Sequence, residues 1–237
     1  MFIKSLFKIL TLSVLLAQAA IADEAAVKQR VQTSFPGAEI QSITKTSYAG
    51  LYEIVMGEKV FYADENASHF FIGSIYDTKN QRNLTEERVQ KLMAVKFDTL
   101  PLDSAIKIVK GNGKRKMAVF SDPDCPYCKR LEQDLTKVTD VTIYVLLYPI
   151  AELHPDSANK AKAIWCAADK AKAWSDWMLK GNLAKNKATC DTPVAKLGEL
   201  GKKLHVYGTP TIIFANGRRV PGSIPAAEIE KNLNSTD

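Results

Sequence analysis

The feature that most constrains this 237-residue chain is a Cys-X-X-Cys set where an apolar strand gives way to a helix: Val119-Phe120-Ser121-Asp122-Pro123-Asp124-Cys125-Pro126-Tyr127-Cys128. Thiol–disulfide chemistry needs a thiolate. The first turn of a helix stabilises one through its unpaired N–H groups and partial positive charge. Pro126 suits that turn, because the N–H it lacks would have had no helical partner. The spacing therefore predicts Cys125 as an exposed nucleophile of lowered pKa. Cys128, one turn further in, is the expected resolving thiol, able to attack back on a mixed disulfide. Asp122 and Asp124 work against this, since neighbouring carboxylates raise a thiol pKa; Asp124 reads largely as a helix cap. The alternatives are an inert bridge and a zinc site. Zinc usually takes four ligands, yet the chain has no second Cys-X-X-Cys, and His69, His154 and His205 lack finger spacing. No metal is expected.

Cys166 and Cys190 complete a set of four cysteines, all in the second half. Four are too few for a disulfide-stapled miniprotein, but an even count is compatible with two disulfides in an oxidising compartment. Residues 1–22 bear on the compartment. Lys4 and Lys8 precede the apolar run Ile9–Leu16, and Ala20-Ile21-Ala22 stands just before Asp23-Glu24. That is the layout of a secretory signal peptide cleaved at Ala22/Asp23, and the run is shorter than the roughly 20 residues of a membrane span. The mature protein is expected to be exported and soluble. Losing two lysines takes the formal charge from +6 to +4. The excess is spread out, as at Lys160, Lys162, Lys170 and Lys172 on an expected helix, and reads as a solvated face rather than a nucleic-acid surface. A hydrophobic content of 46% with 24% charged residues excludes a disordered or fibrous chain.

The mature chain falls into segments. Over 23–83 a short helix (Glu24–Thr33) precedes strands at Leu51–Met56, Lys59–Ala63 and His69–Tyr76, with turns at Gly57-Glu58 and Asp64-Glu65-Asn66. This makes a thin core for its length, and the aromatic strands are expected to self-associate through an edge. Over 84–100 an expected capping box, Asn83-Leu84-Thr85-Glu86, opens a connecting helix running to about Ala94–Phe97. Over 101–237 α and β alternate. Strands are expected at Ala105–Lys110 and Lys116–Ser121, a helix from Cys125 to about Val138, and a buried strand at Val141–Tyr148. One helix is expected over Ser157–Leu179, ended by Gly181, and a shorter one over Pro193–Leu204. A hairpin, Thr211–Phe214 with Arg218–Val220, turns at Asn216-Gly217, and a last helix covers Pro225–Leu233. The helical setting of Trp165, Trp174 and Trp177 makes them packing residues, and His154 and His205 read as structural or solvent-exposed. Gly208-Thr209-Pro210-Thr211 alone reads as a turn leading into a strand.

Taken together, Phe120-Ser121-Asp122, Cys125-Pro126-Tyr127-Cys128, Ala163-Ile164-Trp165-Cys166-Ala167, Gly208-Thr209-Pro210 and Val220-Pro221-Gly222 resemble thioredoxin-fold disulfide isomerases of the DsbC/DsbG family. His69–Asp77 is similar to the end of that family's dimerisation domain. The resemblance covers nearly all of the mature chain. It implies an α+β chain: a small cystatin-like dimerisation domain and linker helix, then a thioredoxin fold with a helical insertion. It also implies a periplasmic homodimer, a membrane thiol reductase of the DsbD type as partner, and no cofactor. At the site it implies that Pro210 is cis beside Cys125, with Thr209 and Pro210 contacting substrate; Tyr127, inside the dipeptide, is expected as an aromatic wall for it. The Pro-Tyr dipeptide matches the DsbG branch, whereas Cys166 and Cys190 look like the extra pair of the DsbC branch. That pair is expected as a structural disulfide, and closing a loop of this size is worth about 3 kcal/mol in the chain-entropy model.

The resulting expectation is a thiol:disulfide oxidoreductase acting as isomerase and reductase on misoxidised exported proteins. Two other activities stand beside it: reduction of sulfenylated single cysteines, favoured by Pro126-Tyr127, and a dimeric chaperone with secondary thiols.

Overall fold

The computed structural model describes residues 23–235, so the expected signal peptide lies outside the described residues. The chain divides into two compact units, one ending at Met93 and the next beginning at Ala94.

In the first unit, helix α1 (23–34) turns Val27 and Val31, four residues apart, onto an antiparallel sheet. The sheet runs β1 (Ile40–Lys45), β2 (Tyr52–Met56), β3 (Lys59–Ala63), β4 (Phe70–Phe71), paired in that order. Strand alternation buries both faces. Ile43, Tyr52, Ile54 and Ala63 pack with α1, while Val55, Val60 and Tyr62 form a second cluster with Val89. Val89 belongs to α2 (Leu84–Leu92), which follows a small ribbon of β5 (Tyr76–Asp77) and β6 (Arg82–Asn83). Buried Thr85 anchors α2: its hydroxyl lies 2.6 Å from the Tyr62 hydroxyl and accepts the Ile75 N–H at 2.9 Å.

Three sequence expectations change here. Strand β1 was not foreseen, because only Ile43 in Ile40–Lys45 is fully buried and no alternation is visible. Half of the capping box forms: Asn83 accepts the Glu86 N–H, but the Glu86 carboxylate accepts from Gln90 instead of turning back. The helix also stops at Leu92, short of Ala94–Phe97. Tertiary packing overrides it, since Val95 and Phe97 are buried in the second unit's core and the Val95 N–H donates to Gly217 O at 3.0 Å. A Cβ at position 217 would sit 2.9 Å from the Val95 carbonyl oxygen, so this approach requires glycine.

The second unit is built on a five-stranded sheet ordered β11-β10-β8-β9-β7. It comprises β7 (Ile106–Lys110), β8 (Arg115–Ser121), β9 (Val141–Leu147), β10 (Thr211–Phe214) and β11 (Arg219–Pro221). Helix α3 (Pro126–Leu135) makes the crossover between parallel β8 and β9; the other pairings are antiparallel. β9 therefore lies between β7 and β8, as suits a strand apolar on both faces. Helices α4 (Ser157–Trp165), α5 (Lys170–Lys180) and α6 (Val194–Lys203) are inserted before β10, and α7 (Ala226–Leu233) closes the chain. This is the thioredoxin arrangement with a helical insertion.

The single helix expected over Ser157–Leu179 is in fact two. It breaks at Cys166–Asp169, where Cys166 caps α4 and the Asp169 side chain accepts the Lys172 N–H as N-cap of α5. The Asp169 cap was a legible signal, masked by the surrounding alanines and lysines. α5 ends on Gly181 in the left-handed region, φ 72°.

Candidate active site

β8 delivers the chain to Ser121, and the loop Asp122-Pro123-Asp124 turns it into α3. Cys125 is the N-cap residue, with extended backbone and no side chain capping the helix, and Pro126 opens the first turn. The free N–H groups of that turn are thus left to sulfur. The Cys125 thiol lies near pKa 5 against an ordinary 9.0. The main cause is a hydrogen bond from the Cys128 thiol; burial opposes it, and Thr209 with the N–H groups of Cys128 and Tyr127 adds to it. Cys128 goes the opposite way. It is fully buried, and burial, reinforced by its hydrogen bond to Cys125, pushes its pKa upward. Both cysteines are free thiols. The pair thus consists of one acidic sulfur and one held protonated.

One expectation is corrected: Cys125 is not exposed but only 4% accessible. The cover includes the loop before β10, where Cys125 Sγ lies 3.2 Å from the Thr209 carbonyl oxygen. The Thr209–Pro210 peptide is cis. The loop is held on both sides, by Gly222 N–H to Pro210 O at 2.7 Å and by the Thr211 hydroxyl to Gly208 O at 2.8 Å. Tyr127, by contrast, is 62% exposed on the first turn of α3. Cys125, Cys128, Thr209 and Pro210 therefore come together, with Tyr127 beside them. Cys166 and Cys190 are bonded to each other, Cα to Cα 5.7 Å, at the end of α4.

Asp124 is also corrected. It does not cap α3; its carboxylate takes two 2.8 Å contacts from Lys160 Nζ on α4. Asp122 is wholly buried and fully engaged: Oδ1 accepts the Asp124 N–H at 2.8 Å, and Oδ2 accepts the Ile150 N–H at 2.7 Å and faces His154 Nδ1 at 3.0 Å. Its own N–H points at Cys128 Sγ, 3.5 Å away. Trp177 is more than packing. Its indole N–H donates to Pro123 O at 2.7 Å, and Lys129 and Lys160 lie over its ring, 4.9 and 5.1 Å from the centroid. Sequence reasoning missed His154, Lys160 and Trp177 as partners of the Asp122-Pro123-Asp124 loop ahead of the thiols. It also missed Glu132, one turn beyond Cys128, whose carboxyl burial raises to about 7 while it accepts the Trp174 indole N–H at 2.8 Å. Among the described residues, no group of three or more His, Cys, Asp or Glu is placed to hold a metal ion. No helix of those residues is long and apolar enough to cross a membrane.

Comparison with known proteins adds independent findings. A thioredoxin-like domain family matches residues 102–236, and the disulfide bond isomerase protein N-terminal domain matches residues 18–86. The chain is 45% identical over 217 residues to the probable thiol:disulfide interchange protein DsbC of Bordetella parapertussis, covering 92% of this chain and 76% of that protein. It is 30% identical over 233 residues to the Escherichia coli K12 thiol:disulfide interchange protein DsbC, covering 96% and 94% respectively. Among solved structures, a disulfide interchange protein from Neisseria gonorrhoeae is 53% identical, with a TM-score of 0.55, over 57% of this chain and 100% of that one.

Proposed function

The chain belongs to the DsbC family of thiol:disulfide interchange proteins, and we propose that it is a periplasmic disulfide isomerase and reductase acting on misoxidised exported proteins through Cys125 and Cys128. The observation that carries this reading is the division of labour within the pair: an acidic Cys125 sulfur at the helix cap and a buried, protonated Cys128 one turn behind it.

In the proposed cycle the Cys125 thiolate attacks one sulfur of a client disulfide. A mixed disulfide forms, and the other client sulfur leaves as a thiolate. If a second client thiolate then attacks the mixed disulfide, Cys125 is released and the client has been isomerised with no net electron transfer. If Cys128 loses its proton and attacks instead, a Cys125–Cys128 disulfide forms and the client leaves with two more electrons. The oxidised enzyme then needs a dithiol donor, for which a membrane thiol reductase of the DsbD type is the proposed partner. Thr209 and Pro210 are proposed to align the client chain beside Cys125, with Tyr127 as an exposed aromatic wall. Cys166–Cys190 is proposed to be structural.

The segment over residues 1–22 is proposed to direct export, 23–83 to form the dimerisation domain, 84–100 to link, and 101–237 to catalyse. Exposed Phe71, Ile72 and Tyr76 near the short edge strand β4 support pairing of two copies through the first unit.

The test is recovery of activity from a scrambled multi-disulfide client. Wild type should restore native pairing, and Cys125→Ala should fall to the uncatalysed rate. Comparable reshuffling by Cys125→Ala would overturn the assignment. Pro126-Tyr127 gives the sulfenylated-cysteine reading its support, so a single-cysteine sulfenylated client run in parallel ranks the two activities.

A further inference from the structure

Two carboxylates immediately ahead of a sulfur that works as an anion should impair it. At an effective dielectric constant near 20, a unit charge several ångströms away shifts a neighbouring ionisation by a unit or more. The chain keeps both, Asp122 and Asp124, and covers each with a partner drawn from one short stretch, His154 to Lys160, some thirty residues downstream.

Lys160 meets the Asp124 carboxylate at 2.8 Å, with both side chains about one-fifth exposed. It is held there by Asp156, one turn back at 3.3 Å, and by the Trp177 ring at 5.1 Å. His154 faces the wholly buried Asp122 carboxylate at 3.0 Å. His154 Nδ1 is placed to donate to that carboxylate, which can only accept. The chain just ahead of that stretch is tied to the same carboxylate through its backbone, as the Ile150 N–H also ends on Asp122. Of the other titratable groups, Cys128 donates to the Cys125 sulfur. Lys129 on α3 is turned onto Trp177, Glu132 lies a turn beyond Cys128, and Thr209, from the loop before β10, is uncharged.

Resting on the reading of Cys125 as the nucleophile, we infer that Lys160 and His154 are positioning residues for thiol–disulfide exchange: Lys160 neutralises Asp124 and His154 holds Asp122 in place, so that neither carboxylate opposes the Cys125 anion. Neither touches the reacting sulfur. Lys160 acts through the charge of Asp124, and His154 acts through the buried Asp122, whose N–H and carboxylate set the start of the loop.

A charge cycle tests this in the purified, reduced protein. The Cys125 thiolate is titrated by its ultraviolet absorbance near 240 nm and by alkylation rate against pH, with thermal unfolding followed in parallel. Lys160→Met should raise the Cys125 midpoint, lowering its acid dissociation constant about threefold or more. Asp124→Asn should move it the other way, and the double variant should return close to wild type. Lys160→Arg, which keeps the charge, should keep the wild-type midpoint. His154→Leu should shift the midpoint upward, and His154→Asn, whose amide can replace the Nδ1 donor, should shift it less. A merely structural role would lower the unfolding temperature in these variants and leave the midpoint in place. Wild-type midpoints in both Lys160→Met and His154→Leu would overturn the inference. A wild-type protein with no ionisation well below the ordinary thiol range would instead overturn the reading of Cys125 on which it rests.

Discussion

Glu132, one turn beyond Cys128 on α3, has energetics of its own that the proposed exchange does not use. Its carboxyl is buried between α3 and α5, and burial outweighs both the Trp174 indole N–H and the charge of Lys110 in raising its pKa to about 7 from 4.5. In the unfolded chain the same group titrates near its ordinary value. Between these values the folded state holds a proton that the unfolded state has released, so folding is favoured at low pH. That advantage is complete below the unfolded pKa and is lost as pH rises through the folded one. The linkage amounts to about 3 kcal/mol at most. Glu132→Gln keeps an acceptor for Trp174 but cannot ionise. Urea unfolding of the reduced protein at pH 5 and pH 8 should show the variant gaining on wild type by about 1–3 kcal/mol on going to the higher pH. An unchanged difference between the two proteins at both pH values would show that Glu132 stays ionised in the fold.

At the scale of elements, what was legible in the sequence was what is local. Cys125-Pro126-Tyr127-Cys128 declared its own helix start, because the N-cap, the N1 proline and the strand before them are contiguous. The hairpin at Asn216-Gly217, the buried strand β9 and the glycine end of α5 were legible for the same reason. Elements decided by distant partners were not. The end of α2 at Leu92 depends on where Val95 and Phe97 are buried, and β1 is a strand because β2 pairs with it rather than because of any alternation of its own. At the site, the placing of Cys125 and Cys128 at a helix start came from the motif, and the cis Thr209–Pro210 peptide beside Cys125 from the resemblance. The partners of Asp122 and Asp124 were not legible, for Lys160 reads as one of several helix lysines and His154 as an isolated histidine. Their placement follows from the path of the chain after β9, which brings the start of α4 beside the start of α3. The low exposure of Cys125 has the same kind of origin: its cover comes from Thr209, 84 residues away in sequence.

At the scale of the whole molecule, each unit has a core of its own, and three of the exposed apolar residues of the first, Phe71, Ile72 and Tyr76, follow one another closely along the chain. Ile72 is 83% exposed, an uncommon setting for isoleucine in a unit whose sheet already buries both faces. The proposed homodimer therefore predicts that wild type sediments as a dimer and that Ile72→Asp shifts it toward the monomer while its thiols still exchange. A monomeric wild type would contradict the proposed homodimer.

In the proposed cycle one sulfur, Cys125, makes the covalent contact with client proteins and Cys128 ends it. Replacing Cys128 with serine removes resolution by the enzyme and should let the mixed disulfide accumulate. We predict that Cys128→Ser, mixed with a scrambled multi-disulfide client and quenched with acid, yields a covalent adduct that reductant reverses and that peptide mapping by mass spectrometry assigns to Cys125. An adduct mapped to Cys166 or Cys190, or none at all under conditions where the wild-type protein reshuffles the client, would contradict it.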